Sequence, residues 1–143
     1  MEENITVRIA DSPAQIERCF GVIVQLRTHL DRAGFVDQVV RQQLEGFRLA
    51  FLEDRGEVKA VAGFRTMELL YSGKTLYVDD LVTDENARSK GYGDRLFDWL
   101  VDLARIQGCQ HFTLDSGVQR FDAHRFYFRK RMRISSYHFA LDL

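Results

Sequence analysis

The stretch "YVDDLVTDENARSKGYGDRLFDWL" (residues 77–100) decides how this chain folds. It opens with apolar residues in alternation and closes with Tyr92, Leu96, Phe97 and Leu100, which Val101 and Ala104 extend. The apolar period changes from about 2 to about 3.6 across "RSKGYG" (88–93), so a strand feeds a helix through a turn holding two glycines. A helix start presents unpaired N–H groups and the positive end of the helix dipole. Glycine there admits a left-handed backbone and lets a ligand approach the main chain closely. Together these features make an anion cradle suited to phosphate or pyrophosphate. Asp94, in the first turn, also answers part of the dipole without a ligand. The dinucleotide pattern G-x-G-x-x-G fails because position 96 is leucine, and no P-loop is present.

Outward from this junction, the rest of the chain falls into short alternating elements. "ITVRIA" (5–10) reads as a strand, and Asp11-Ser12-Pro13 supplies a cap and a first-turn proline for a helix carrying Ile16 to Leu30. "FVDQVVRQQLEG" (35–46) reads as a second, shorter helix. Three strands follow, 47–54, 57–69 and 75–83, with turns at Arg55-Gly56 and "SGK" (72–74). After the helix from Tyr92 come a strand at 110–115, a helix at 119–130 and a closing strand at 133–143. The order β-α-α-β-β-β-α-β-α-β predicts an α/β (α+β) fold: a mixed sheet flanked by helices on both faces. No linker, repeat or low-complexity segment divides it, so residues 1–143 are expected to form a single domain.

Bulk properties narrow the function. The chain has 143 residues, 45% hydrophobic and 29% charged, with net charge −1, which gives no general attraction to nucleic acid or anionic membrane. The basic run Arg125, Arg129, Lys130, Arg131 and Arg133 reads as a solvated face or as contacts to an adenosine phosphate. Cys19 and Cys109 stand far apart in apolar-periodic sequence and read as buried free thiols. No basic, apolar leader and no long apolar run is present, so a cytoplasmic location is expected. The histidines His29, His111 and His138 lack ligand spacing, so no metal is expected.

The 77–100 stretch closely resembles the central motif of the GNAT superfamily of acyl-CoA-dependent N-acetyltransferases. There a strand leads through an acidic loop to R-x-x-G-x-G and a helix; here Arg88, Gly91 and Gly93 fill that pattern. Leu81, Val82 and Thr83 fill the strand positions L-x-V, with Thr for Val. "AHRFYFRKRM" (123–132) is similar to the family's A-x-x-[FL]-Y-x-[KR]-x-G-F helix through Ala123, Phe126, Tyr127 and Arg129. Arg131 and Met132 depart from its Gly and Phe. The predicted element order matches the family throughout.

The resemblance implies acetyl-CoA as co-substrate. Its pyrophosphate would meet the backbone N–H groups of Ser89, Lys90, Gly91, Tyr92, Gly93 and Asp94, with Arg88 and Lys90 adding charge. Its pantetheine arm would pair with Leu81, Val82 and Thr83. Arg120 stands where the family often has an Asn touching that arm. Tyr127 matches the tyrosine that protonates the departing sulfur, and the backbone N–H near Val82 would serve the oxyanion. Asp79 and Asp80 sit in the middle of an apolar strand, a costly place for two carboxylates unless they are wetted or paired. Strand alternation sends them to opposite faces. The resemblance assigns the amine proton to one of them: Asp79 as base, with Asp80 as amine anchor or structural partner. Asp115 and Ser116 read as a strand-terminal turn near substrate, and His124 as locally satisfied.

For the acceptor, His29, Arg32 and Phe35 fall at the break between the first two helices. The paired aspartates favour a small cationic amine, with a protein amine as the other acceptor. The expected activity is acetyl transfer to a primary amine by direct attack. The competing readings are a catalytically silent acyl-CoA-binding sensor and a nucleotide- or RNA-binding domain. Oligomeric state leaves no mark in the sequence; the resemblance admits a homodimer.

Overall fold

The computed structural model describes residues 4–143; residues 1–3, part of the stretch read for a leader, lie outside the described residues. The chain forms two compact units, Met1–Thr113 and Leu114–Leu143.

In the first unit, β1 (Ile5–Ile9) leads to α1 (Pro13–Arg18), α2 (Phe20–Leu26) and α3 (Arg32–Gln43). Ser12 caps α1 by accepting from the Gln15 N–H, with Pro13 in the first turn. The expected single helix from Ile16 to Leu30 is instead two. At Cys19 the bonding tightens, its N–H reaching the Ile16 carbonyl. The second helix stops at Leu26, where Arg27 turns out of helical conformation (φ −109°, ψ 74°). Asp31 then caps α3 through the Ala33 N–H.

β2 (Phe47–Asp54), β3 (Glu57–Leu69) and β4 (Gly73–Thr83) follow as antiparallel neighbours, then α4 (Tyr92–Ile106) and β5 (His111–Leu114). The sheet runs β1-β2-β3-β4-β5, mixed in direction because α4 is a crossover between β4 and β5. Period-2 alternation sorts its two faces. Phe47, Leu49, Phe51, Val61 and Val82 join Ile16, Phe20, Ile23, Phe35 and Val39 of α1–α3 in one core cluster. The alternate residues Ala50, Leu52, Ala62, Phe64, Leu76 and Val78 are buried on the opposite face, where α4 packs with Leu96, Phe97 and Leu100. Cys19 is buried, and burial pushes its thiol up to about 12; Cys109 is only half-buried.

The second unit carries α5 (Phe121–Arg129). The strand expected at 133–143 does not form: that segment has no regular structure. Alternation makes a segment fit for a sheet, but a strand exists only where a neighbour supplies its ladder of hydrogen bonds, and among the described residues none forms a ladder with this segment.

Phe51 is wholly buried between β1 and β3 on the helix-covered face. Truncation by Phe51→Ala is expected to cost about 3–5 kcal/mol, read as a lowered urea midpoint at unchanged m-value; a loss below about 1 kcal/mol would contradict this packing.

Candidate active site

The two glycines of the cradle are required for different reasons. Gly91 is the α4 N-cap and holds a left-handed backbone (φ 80°), with open space where a side chain would stand. Gly93 is required by close approach: a Cβ there would sit 2.8 Å from Thr83 Oγ1, at the end of β4. The helix start is thereby drawn against the strand that precedes it. Gly91 makes no side-chain cap hydrogen bond, and the start of α4 is where a helix has no preceding turn to accept its N–H groups. Arg88, Ser89 and Lys90 are exposed around this turn, and Ser89 is also left-handed (φ 68°). Tyr92 departs from the loop's exposure. Its ring is buried and its hydroxyl donates to Asp54 Oδ2 at 2.6 Å, which raises the Tyr92 pKa and anchors the turn to β2.

Beside the cradle, Leu81, Val82 and Thr83 pair with Ala62, Val61 and Ala60 of β3. On the other edge, the ladder to the β5 side begins at Lys74, whose carbonyl accepts from Gln110, and β5 lasts four residues. Residues 81–83 therefore run past its end, so the rim of β4 beside the cradle is not covered by β5.

Just before that rim, β4 bulges. Gly63 stands opposite Asp80 and Phe64 opposite Val78, leaving Asp79 as the extra residue. The bulge corrects the expectation of opposite faces: alternation breaks at Asp79, and both carboxylates line one cavity on the α2–α3 side of the sheet. Asp79 binds Arg65 through both oxygens, at 3.1 and 2.6 Å. Asp80 Oδ1 accepts from Arg27 Nε at 2.7 Å, while Arg27 Nη2 holds the Asp79 carbonyl at 2.7 Å. Asp80 Oδ2 lies over Gly63, where an added Cβ would come within 2.5 Å of it. Burial raises the Asp80 pKa, against the pull of the Arg27 hydrogen bond and charge. Asp79 and Asp80 thus have unequal free capacity, since Asp79 spends both oxygens on one guanidinium.

The cavity measures about 270 Å³. Its walls mix apolar side chains, among them Ile23, Leu30, Val39 and Phe47, with polar ones that include Gln38 and Gln42. Of the three acceptor candidates, His29 and Phe35 line it. Arg32 does not; it pairs with Glu17 and stacks over Phe20 instead. Arg27, Arg65 and Gly63 are site residues that the sequence did not single out. Among the described residues no group of His, Cys, Asp or Glu is arranged to hold a metal ion.

In the second unit, Tyr127 lies half-buried on α5, seven residues after Arg120, the helix N-cap. Burial raises the Tyr127 pKa, and a hydrogen bond and charge from Arg120 partly oppose this. The hydroxyl therefore keeps its proton at neutral pH. Arg120 thus occupies the family's Asn position as a partner of the tyrosine. His124 Nε2 bonds the Gly117 carbonyl at 2.8 Å, a local satisfaction. Asp115 stands 3.7 Å from His138, and the buried Ser116 hydroxyl has no partner. Of the basic run, Arg125 pairs with Asp122 and Arg129 stacks over Phe126.

Known proteins resemble this chain in sequence and in fold. Residues 16–132 match the acetyltransferase (GNAT) family model. An uncharacterized N-acetyltransferase, YhdJ of Bacillus subtilis, is 37% identical over 122 residues, covering 84% of this chain and 86% of that protein. An aminoalkylphosphonate N-acetyltransferase of Salmonella typhimurium is 28% identical over 122 residues, covering 82% and 78%. An aminoglycoside N-acetyltransferase solved in complex with CoA has the same fold, with a TM-score of 0.82 at 10% identity over 97% of this chain and 94% of that one. With its strand–cradle–helix junction in place and its family model spanning most of its length, the chain belongs to the GNAT family of acetyltransferases.

Proposed function

We propose that the protein transfers the acetyl group of acetyl-CoA to a small primary amine, with residues 1–143 acting as one transferase domain. The observation that carries this reading is the cradle: a helix start at Gly91 with no side-chain cap there, open space at Gly91, and a β4 rim that β5 leaves uncovered. These fit a diphosphate held by Ser89 to Asp94, with Arg88 and Lys90 adding charge, and an extended arm along Leu81, Val82 and Thr83. When bound, the co-substrate supplies an acetyl thioester.

The chain's residues then have three tasks. The amine must be neutral before it attacks, because an ammonium has no lone pair. We assign that proton to Asp80 rather than Asp79. Arg65 occupies both oxygens of Asp79, whereas Arg27 bonds Oδ1 of Asp80, whose pKa burial raises. A raised pKa makes the ionised carboxylate a better proton acceptor. Asp79 then serves through its backbone and its pair with Arg65. The backbone N–H near Val82 is assigned to the developing oxyanion, and the Tyr127 hydroxyl to the departing sulfur, with Arg120 beside it.

The cavity's charge refines the acceptor. Two carboxylates are matched by two guanidiniums, Arg27 and Arg65, so a polycation gains no excess negative charge there. A small amine carrying an acid group fits better, in keeping with the relative that acts on aminoalkylphosphonates. A cavity of about 270 Å³ suits such a molecule better than a protein chain. Two free thiols fit a reducing, cytoplasmic setting. The direct test is acetyl-CoA consumption against a panel of aminoalkyl acids, alkylamines, polyamines, aminoglycosides and peptides. Turnover with small amines supports the reading; CoA binding without turnover on any of them supports the silent sensor instead.

Tyr127→Phe should lower kcat about 10–10⁴-fold with acetyl-CoA affinity kept; wild-type kcat removes the tyrosine from the acid role. Gly91→Val should weaken CoA binding, by calorimetry, at least about tenfold, since a branched side chain both strains the left-handed turn and fills the cradle. Equal affinity would refute the cradle. The pH profile of kcat/KM should fall on the acid side through a pKa above the ordinary aspartate value, because protonation removes the base and burial raises its pKa.

A further inference from the structure

We propose that Gly63 and Arg27 are positioning residues for the Asp80 carboxylate: Gly63 leaves the space that Oδ2 occupies, and Arg27 fixes Oδ1 from the far end of α2. The inference rests on the assignment of Asp80 as the base and adds to it the two residues that aim it.

Three observations carry it. Gly63 lies at the bulge, directly across from Asp80, and is buried. Its backbone is not left-handed, so conformation alone does not require glycine there. What requires glycine is contact: a Cβ would stand 2.5 Å from Asp80 Oδ2 and 2.5 Å from Phe47 Cζ. Both distances are shorter than any tolerated contact, so a side chain at 63 must displace the carboxylate, the ring or both. Arg27 meets the same group from the helical layer. Its Nε donates to Oδ1 at 2.7 Å and its Nη2 donates to the Asp79 carbonyl at 2.7 Å. One guanidinium therefore ties the carboxylate to the bulged backbone that carries it. It can do so because the chain leaves α2 at Arg27, with that residue already out of helical conformation. The strand and the helical layer thus each limit the carboxylate, and neither contact involves Asp79's own side chain.

The two contacts predict different failures. Without Gly63's space the carboxylate moves, so the proton is no longer taken from the right place: kcat falls while acetyl-CoA binding is kept. Without Arg27 a hydrogen bond and a positive charge that favour the ionised form are lost, so Asp80 holds its proton to higher pH.

The experiment uses the full chain and five variants. Carboxyl-carbon NMR of protein labelled at Asp follows Asp80 between about pH 3 and 8, with Asp80→Asn assigning the signal; no substrate is needed. Arg27→Ala should move the Asp80 midpoint upward and Arg27→Lys should restore part of the shift. Gly63→Ala is made in a Phe47→Leu background, which removes the ring clash and leaves the carboxylate clash. Measured against Phe47→Leu itself, it should lose at least about tenfold in kcat, with KM for acetyl-CoA within about twofold. Thermal melts confirm that each variant is folded. An unmoved Asp80 midpoint in Arg27→Ala, or a kcat for the double variant equal to Phe47→Leu, overturns the inference while leaving Asp80 as base. Wild-type kcat in Asp80→Asn overturns the base assignment and the inference with it.

Discussion

One extra residue in β4 governs the geometry of the site. Asp79 is the extra residue in the register of β4 against β3, and that single bulge turns two successive carboxylates toward the same cavity. A regular strand would send one of them to the face that α4 covers, where Val78 is buried among aliphatic side chains. A carboxylate there would have to be paired or protonated. The bulge keeps both on the side where α2 and β3 supply guanidiniums, and it ends just before the rim at Leu81–Thr83. The facing of the two carboxylates and their charge pairing are therefore consequences of the same local irregularity.

The pairing divides the two carboxylates by role. Asp79 is held at both oxygens by Arg65, which itself lies over the Phe47 ring. Asp80 is held at one oxygen by Arg27, with the other lying above a glycine. Burial raises the pKa of Asp80, which makes its carboxylate a better proton acceptor than an ordinary aspartate. Equal residue types thus acquire unequal chemistry from partners that lie far away in the chain.

Much of the fold was legible because it depends on local pattern. The change of period across Arg88–Gly93 marked β4 and α4, and the Ser12-Pro13 cap marked α1. The break at Cys19 was not legible, since it is a shift of hydrogen bonds inside an unbroken apolar pattern. The expected strand at 133–143 failed for a different reason: alternation is a property of the segment, but pairing needs a neighbour. At the site, the glycine pair and the two aspartates stood out by type and place. Their facing did not, because a bulge is a matter of register between two strands. Arg27 and Gly63 were hidden for the same reason. The first meets Asp80 across 53 positions of sequence, and the second matters only for the atoms it lacks.

The account's central claim is that the cradle and the bulge together bring a thioester and a base to one amine. A crystal structure of the protein with CoA and an N-acetylated small amine tests it most directly. The account predicts the diphosphate on the N–H groups at the start of α4, the pantetheine arm along residues 81–83, and the acetamide nitrogen within hydrogen-bond reach of Asp80. A diphosphate bound elsewhere, or an acetamide nitrogen facing away from Asp80, would contradict it.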